Sequence, residues 1–273
     1  CNYSGAVSVS GMTIDDDNIW IASWGGLKKF NISNQSMTHY DCSNSGLLSN
    51  VIECIYEDSL RNIYLGLKTD GLAIFDGTNW KYIDTLVTGE KISGVSYMAP
   101  DRNGGLYLLA GYSLGSGSIG YPLTHYQNGQ ISKVTSVTQF GSYRLTSTPD
   151  GDLWSGSSMG LYRFDGQTVT VYDTSNSDFP LNAMSVLGSD DSGRVWLHIN
   201  SVLGRICTFD GVNVVFYPDN ITRDAANSQR MYENPNNHHL YFYSVNCNGL
   251  TEFDGVNWNY TPNVSGTNDL VAV

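Results

Sequence analysis

The sequence predicts an all-β chain folded as a β-propeller of six four-stranded blades, and three observations carry that prediction. A turn of acidic, Asn or Gly residues followed by an aliphatic–aromatic pair recurs six times, with its aromatics at Trp20, Tyr64, Tyr107, Trp154, Trp196 and Tyr241. The steps between them are 44, 43, 47, 42 and 45 residues, the period of a four-stranded propeller blade. Composition agrees: the 273 residues include 18 Tyr, 6 Trp and 29 Gly but only 15% charged residues, which suits strands and tight turns and starves long solvated helices.

Each period has room for four short strands. Strand A precedes the acidic turn; in the first repeat it runs roughly from Val7 to Thr13, with Met12 in the slot that Ile55 fills in the second. Strand B opens on the aliphatic–aromatic pair. Strand C ends on Phe75-Asp76-Gly77, Phe164-Asp165-Gly166, Phe209-Asp210-Gly211 or Phe253-Asp254-Gly255, and Asp-Gly is a tight-turn signal between strands. Strand D follows with an aromatic of its own, as in Trp80-Lys81-Tyr82 and Trp258-Asn259-Tyr260. The third repeat departs, offering Tyr126-Gln127-Asn128-Gly129. Alternation buries one residue in two on each face, and one four-stranded sheet cannot cover both faces. Stacking six sheets radially does cover them, so all six strand-B aromatics are expected in the core between blades rather than on a ligand platform. Residues 1–5 read as a short tether and residues 6–273 as a single propeller domain. The last residues, Asn268 to Val273, resemble another strand A and are expected to help close the ring; seven blades or a truncated larger propeller are the alternatives.

Two linkers carry a further pattern. Asn44-Ser45-Gly46-Leu47-Leu48-Ser49-Asn50-Val51, leading to Ile55 and Asp58, and Ser175-Asn176-Ser177-Asp178-Phe179-Pro180-Leu181-Asn182, leading to Asp190 and Trp196, resemble the two-component regulator propeller repeat. That pattern runs roughly N-S-x-L-x-x-N-x-V, then I-x-x-D-x-x-G-x-I-W, then G-L-x-x-F-D. The resemblance covers nearly the whole chain and implies a propeller of the Bacteroidota cell envelope. In that family the repeats build sensor ectodomains of hybrid two-component regulators and stand-alone envelope proteins, and they imply hardly any ligand.

Charge narrows the partners. A net charge of −12 and a pI near 4.6 oppose phosphate backbones and anionic lipid, so nucleic acid is excluded as a partner. No apolar run approaches the roughly 18 residues of a spanning helix. Cys1 reads as the lipid-attachment cysteine of an envelope lipoprotein, which would put the chain on the outer membrane and against a membrane protein. Cys54 and Cys207 fall in strand patterns as small buried hydrophobes, whereas Cys42 and Cys247 lie in loops, where a disulfide stays open.

Function in propellers gathers on the B–C loops, which hold the candidate binding residues Trp24, Lys68, Asp70, Tyr112, Tyr121, His198, Asn200 and Asn246. Trp24 stands where the repeat family usually carries a small residue. Tyr112 and Tyr121 flank an insertion, Ser113 to Ser118, within a loop expected to run from Ala110 to Tyr121. The catalytic search returns no nucleophile elbow, no paired carboxylates in a cleft and no His-x-x-x-His spacing, so no catalytic residue, metal ligand or cofactor is expected. Asp15-Asp16-Asp17 reads as a solvated turn, and adjacent rings at His238 and His239 point apart in an extended chain. The expected function is a non-catalytic envelope propeller acting as a protein-interaction subunit. A glycan- or peptide-sensing propeller is the alternative, and a lyase or hydrolase, for which His198 is the candidate, the second.

Overall fold

A computed structural model describes residues 9–15, 17–113, 119–120, 123–134, 140, 144–201, 204–217, 230–234, 237–244 and 249–262. Cys1 and the tether, Tyr121, Asn246, Cys247 and the C-terminal stretch expected to close the ring lie outside the described residues. The fold is all-β: six antiparallel sheets whose strands follow in chain order A-B-C-D make the six-bladed β-propeller that the period predicts.

The first blade is β1 (Val9–Ile14), β2 (Asn18–Ser23), β3 (Gly26–Asn31) and β4 (Met37–Tyr40); the second is β5 (Ile52–Glu57), β6 (Ile63–Leu67), β7 (Leu72–Phe75) and β8 (Trp80–Ile83). The third, β9 (Ile92–Pro100), β10 (Leu106–Ser113), β12 (Leu123–Gln127) and β13 (Gln130–Lys133), adds a two-residue strand β11 (Ile119–Gly120) along β10. The fourth holds β14 (Thr146–Ser147), β15 (Leu153–Gly156), β16 (Leu161–Phe164) and β17 (Val169–Tyr172). The fifth is β18 (Met184–Ser189), β19 (Val195–Ser201), β20 (Gly204–Phe209) and β21 (Val214–Tyr217), and the sixth β22 (Arg230–Glu233), β23 (Leu240–Ser244), β24 (Gly249–Phe253) and β25 (Trp258–Pro262). The first three sheets belong to one compact unit, residues 1–138, and the last three to another, residues 139–270.

Within each unit the strand-B aromatic packs against the strand-C aromatic of the next sheet. Trp20 meets Phe75 edge-on at 6.1 Å and Tyr64 meets Tyr126 at 5.7 Å; in the other unit Trp154 meets Phe209 at 6.0 Å and Trp196 meets Phe253 at 5.5 Å. These four are buried, Trp196 completely. Tyr107 and Tyr241 depart from the expectation of a buried aromatic in every blade: each is only half-buried, and each belongs to the last sheet of its unit. Tyr107 lies against the His125 ring at 4.9 Å, and the Tyr241 hydroxyl donates to Glu252 at 2.8 Å.

The repeat's polar residues are spent on its turns. In the Phe-Asp-Gly turns the Asp carboxylate accepts the amides two and three residues on, as Asp76 does from Thr78 at 2.8 Å and Asn79 at 2.6 Å. The following Gly77 takes φ 93°, a left-handed conformation that a side chain would strain. The third blade reaches the same reversal in two residues, Asn128 at φ 52° and Gly129 at φ 81°, with Gln127 paired to Gln130. The linkers that carry the family pattern behave alike. Asn50 and Asn182 accept the Cys42 and Thr174 amides at 2.8 and 2.9 Å, while Asn44 and Asn176 accept the Asp41 and Asp173 amides at 2.9 Å. These linker asparagines are therefore folding devices.

Cys54 and Cys207 are buried and Cys42 half-buried, all three as free thiols; burial pushes the Cys207 thiol up to about 12. Two loops are shorter than the sequence suggests. Strand β10 continues through Tyr112 to Ser113 and β19 through Asn200 to Ser201, so Tyr112, His198 and Asn200 stand on strand ends. The physical reason is continued ladder pairing: Tyr112 faces Gly120 and Ser201 faces Gly204, the latter past a bulge after His198.

Candidate functional site

The B–C turn of the first blade is built for display. The Ser23 hydroxyl donates to the Gly26 carbonyl at 2.8 Å and accepts the Gly25 amide at 3.2 Å, closing a rigid turn with Trp24 at its tip. The fourth blade closes the same turn with Ser157 on Gly160 at 3.1 Å and carries Ser158 where the first carries Trp24. A serine fits the turn as well, so the indole is surplus to folding, and 41% of Trp24 is exposed.

Lys68, from the B–C loop of the second blade, places its ammonium 4.8 Å from the Trp24 ring centroid. Its backbone is pinned, since the Lys68 amide donates to the Val51 carbonyl at 3.1 Å. Asp70 follows in the same loop and accepts from the Thr69 hydroxyl at 2.7 Å. The structure thus brings together Trp24 and Lys68, with Asp70 two residues on from Lys68 in its loop. His198 is half-buried on β19, opposite Ser185 and Ile206, and belongs with Asn200 to the other unit. Tyr112 lies on β10 opposite Ile92 and Gly120.

A second group forms at the A–B turns of the fifth and sixth blades, where the sequence reading placed nothing. His238 Nδ1 lies 2.8 Å from Asp191 Oδ2 and 3.2 Å from Glu233 Oε1. The other Glu233 oxygen accepts the Asp191 amide at 3.0 Å, tying the two turns together. Burial, with the nearby carboxylates of Asp191 and Asp190, pushes the Glu233 carboxyl above its ordinary value. The neighbouring ring of His239 pairs with Glu252 instead, at 2.7 Å, although His238 at φ 59° is not extended. The cluster escaped a search for short motifs because Asp191 and Glu233 come from adjacent repeats, 42 residues apart. Aligning the repeats on their A–B turns is the signal that finds it.

Most other carboxylates at these turns serve as caps. Asp15, Asp58, Asp101 and Asp190 each accept backbone amides of their own turn, Asp15 those of Asp17 and Asn18. Asp101 also holds His125 at 2.6 Å.

No family model matches the sequence, and no curated protein matches it. Solved structures do, by fold. The virginiamycin B lyase of Staphylococcus aureus, in a catalytically inactive form with quinupristin, is similar at 13% identity and TM-score 0.66 over 97% of this chain and 87% of its own. PorZ, a surface component of the type-IX secretion system of Porphyromonas gingivalis, is similar at 17% identity and TM-score 0.66 over 91% of this chain. The extracellular domain of the hybrid two-component system BT4673 of B. thetaiotaomicron is similar at 18% identity and TM-score 0.56 over 93%. This chain spans 38% of PorZ and 34% of the BT4673 domain. The neighbours thus include an enzyme, a secretion-system component and a sensor ectodomain, and at these identities they share the fold alone.

Proposed function

We propose that this propeller is a non-catalytic binding module of the cell envelope, engaging another protein through the loop ends of its first two blades. The observation that carries the reading is the Trp24–Lys68 pair: an exposed indole on a rigid turn, with a cation held over its face. Exposed Trp is costly to keep on a surface and is enriched at the centres of protein interfaces. Its turn needs no Trp, as Ser158 of the fourth blade demonstrates. Lys68 extends the same small surface with a positive charge on a chain of net charge −12, which fits a partner offering an apolar pocket rimmed by carboxylates. The envelope part of the reading is supported by similarity to PorZ and to the BT4673 extracellular domain.

The test is gentle detergent extraction of native membranes, identification of the stoichiometric partner, and titration of that partner against Trp24→Ala. The variant is expected to bind at least about tenfold more weakly, the hot-spot scale, with an unchanged melting temperature. Unchanged affinity would remove this surface from the reading. A protein that extracts alone yet binds a glycan or peptide through Trp24 would replace the protein-partner reading with ligand sensing.

A further inference from the structure

We infer that Asp191, Glu233 and His238 form a divalent transition-metal site that staples the A–B turns of the fifth and sixth blades. The donors are two carboxylate oxygens and one imidazole nitrogen, all within 4.8 Å of one another. That set suits Zn²⁺ and its first-row neighbours, whereas Ca²⁺ and Mg²⁺ take oxygen ligands. Donors around a tetrahedral Zn²⁺, bonded at about 2.0–2.1 Å, stand about 3.3 Å apart. The distances from His238 Nδ1, 2.8 and 3.2 Å, lie just below that spacing, so small outward side-chain adjustments admit the ion. His238 and Asp191 are largely exposed, so a fourth position is open to water.

The second blade supplies an internal control. Its A–B turn has the same design: Glu57 ends strand A as Glu233 does, and Arg61 sits at φ 68° where His238 sits at φ 59°. There the guanidinium pairs with Glu57 at 3.3 Å, the Thr13 hydroxyl of the preceding blade adds a bond, also at 3.3 Å, and the charge of Asp15 in that blade also bears on Glu57. An ion pair is all that turn requires. In the sixth blade the permanent cation becomes a ligand-capable imidazole, and the Asp191 carboxylate of the preceding blade stands 2.8 Å from it. The fixed counter-ion is gone while the carboxylates remain. Among the described residues neither Asp191 nor Glu233 has a Lys or Arg partner, and a dication restores the balance.

The supports are in place as well. Glu233 Oε2 is occupied by the Asp191 amide, which leaves Oε1 for the metal. The His238 amide donates to the Asn234 carbonyl at 2.8 Å and the Asn234 amide to the His239 carbonyl at 2.9 Å, fixing the loop that carries the imidazole. Asp190, directly before Asp191, is anchored by Arg194 Nε at 2.9 Å and Trp196 Nε1 at 2.8 Å. Ligands held in this way lose little freedom when the ion enters.

The experiment titrates ZnCl₂ by calorimetry into the EDTA-dialysed full chain, the His238→Arg variant and the Asp191→Asn variant. His238→Arg copies the second blade, keeping a cation beside Glu233 while deleting a ligand, so the fold is retained. The wild type is expected to bind one Zn²⁺ at this site, raising its melting temperature. Both variants are expected to bind it about 100-fold more weakly, with melting temperatures in EDTA equal to or above that of the wild type. Co²⁺ in the wild type alone should give tetrahedral visible absorption. No uptake by the wild type at 100-fold excess, or the same affinity in His238→Arg, overturns the proposal.

Discussion

The A–B turns of the second and sixth blades both open on a glutamate that ends strand A, and they divide the side-chain work differently. In the second, Asp58 does the structural work: it accepts the Leu60 and Asn62 amides at 2.9 Å each, the Asn62 side chain at 2.9 Å and the buried Tyr64 hydroxyl at 3.0 Å. In the sixth, Asn234 holds that slot and bonds through its backbone, while the Tyr241 hydroxyl has moved to Glu252 on the adjacent strand. Glu233 of this turn and Asp191 of the fifth-blade turn gather around the His238 imidazole instead. Repetition fixes where the backbone goes, and each blade is then free to change what its turn residues do.

The comparison breaks most visibly where the capping role is strongest. Asp190, in the fifth blade, is the most buried of the capping acids that hold a strand-B aromatic, its side chain 3% exposed and bound to the Ser192 hydroxyl, the Arg194 amide and guanidinium, and the Trp196 indole. Asp190→Ala strands the buried indole and the turn amide, while the half-exposed Arg194 can turn to water, and is expected to cost about 2–3 kcal/mol in urea denaturation, the scale for buried donors left unsatisfied. A loss under about 1 kcal/mol would mean the turn holds without its acid. Next come the two tyrosines. Tyr64→Phe removes a hydroxyl bonded to a carboxylate in a buried setting and should cost about 1–1.5 kcal/mol. Tyr241→Phe, at a half-exposed site, should cost about 0.5 kcal/mol or less. Equal losses would erase the distinction drawn between the two turns.

This division also explains what was legible in the sequence. The blades could be read because their markers are backbone needs: an acid to cap the A–B turn, Phe-Asp-Gly to close C–D, an aromatic to cover the next sheet. Blade three was legible despite its missing Phe-Asp-Gly, since Asn128-Gly129 meets the same need. Tyr107 and Tyr241 misled because the marker states that an aromatic is present, while the four buried ones pack on the next sheet of their own unit, which the third and sixth sheets lack. Trp24 was legible as an oddity against its own repeat, but its pairing with Lys68 was not, because the two come from different blades. The same holds for Asp191, Glu233 and His238: a motif search looks along the chain, and propeller sites form across it.

The smallest effect is the most discriminating. Burial and two neighbouring acids raise the Glu233 carboxyl above its ordinary 4.5, so its charge is less favourable in the folded protein than in the unfolded chain. Stability is therefore lost as pH rises from the ordinary value through the raised one, and the deficit persists at neutral pH. Glu233→Gln removes that charge. In EDTA at pH 7 it should be as stable as the wild type or better by up to about 1 kcal/mol, the gap closing below about pH 4. Glu57 is also raised, chiefly by burial, with Arg61 pulling the other way. Glu57→Gln is accordingly the matched control for a carboxylate that serves an ion pair alone. Zn²⁺ separates the two, because it should stabilise the wild type and Glu57→Gln equally and reverse the order for Glu233→Gln, which has lost a ligand. A Glu233→Gln chain that loses more than about 1 kcal/mol in EDTA at pH 7 would make Glu233 a structural acid like Asp58, and the contrast between the two turns would fail.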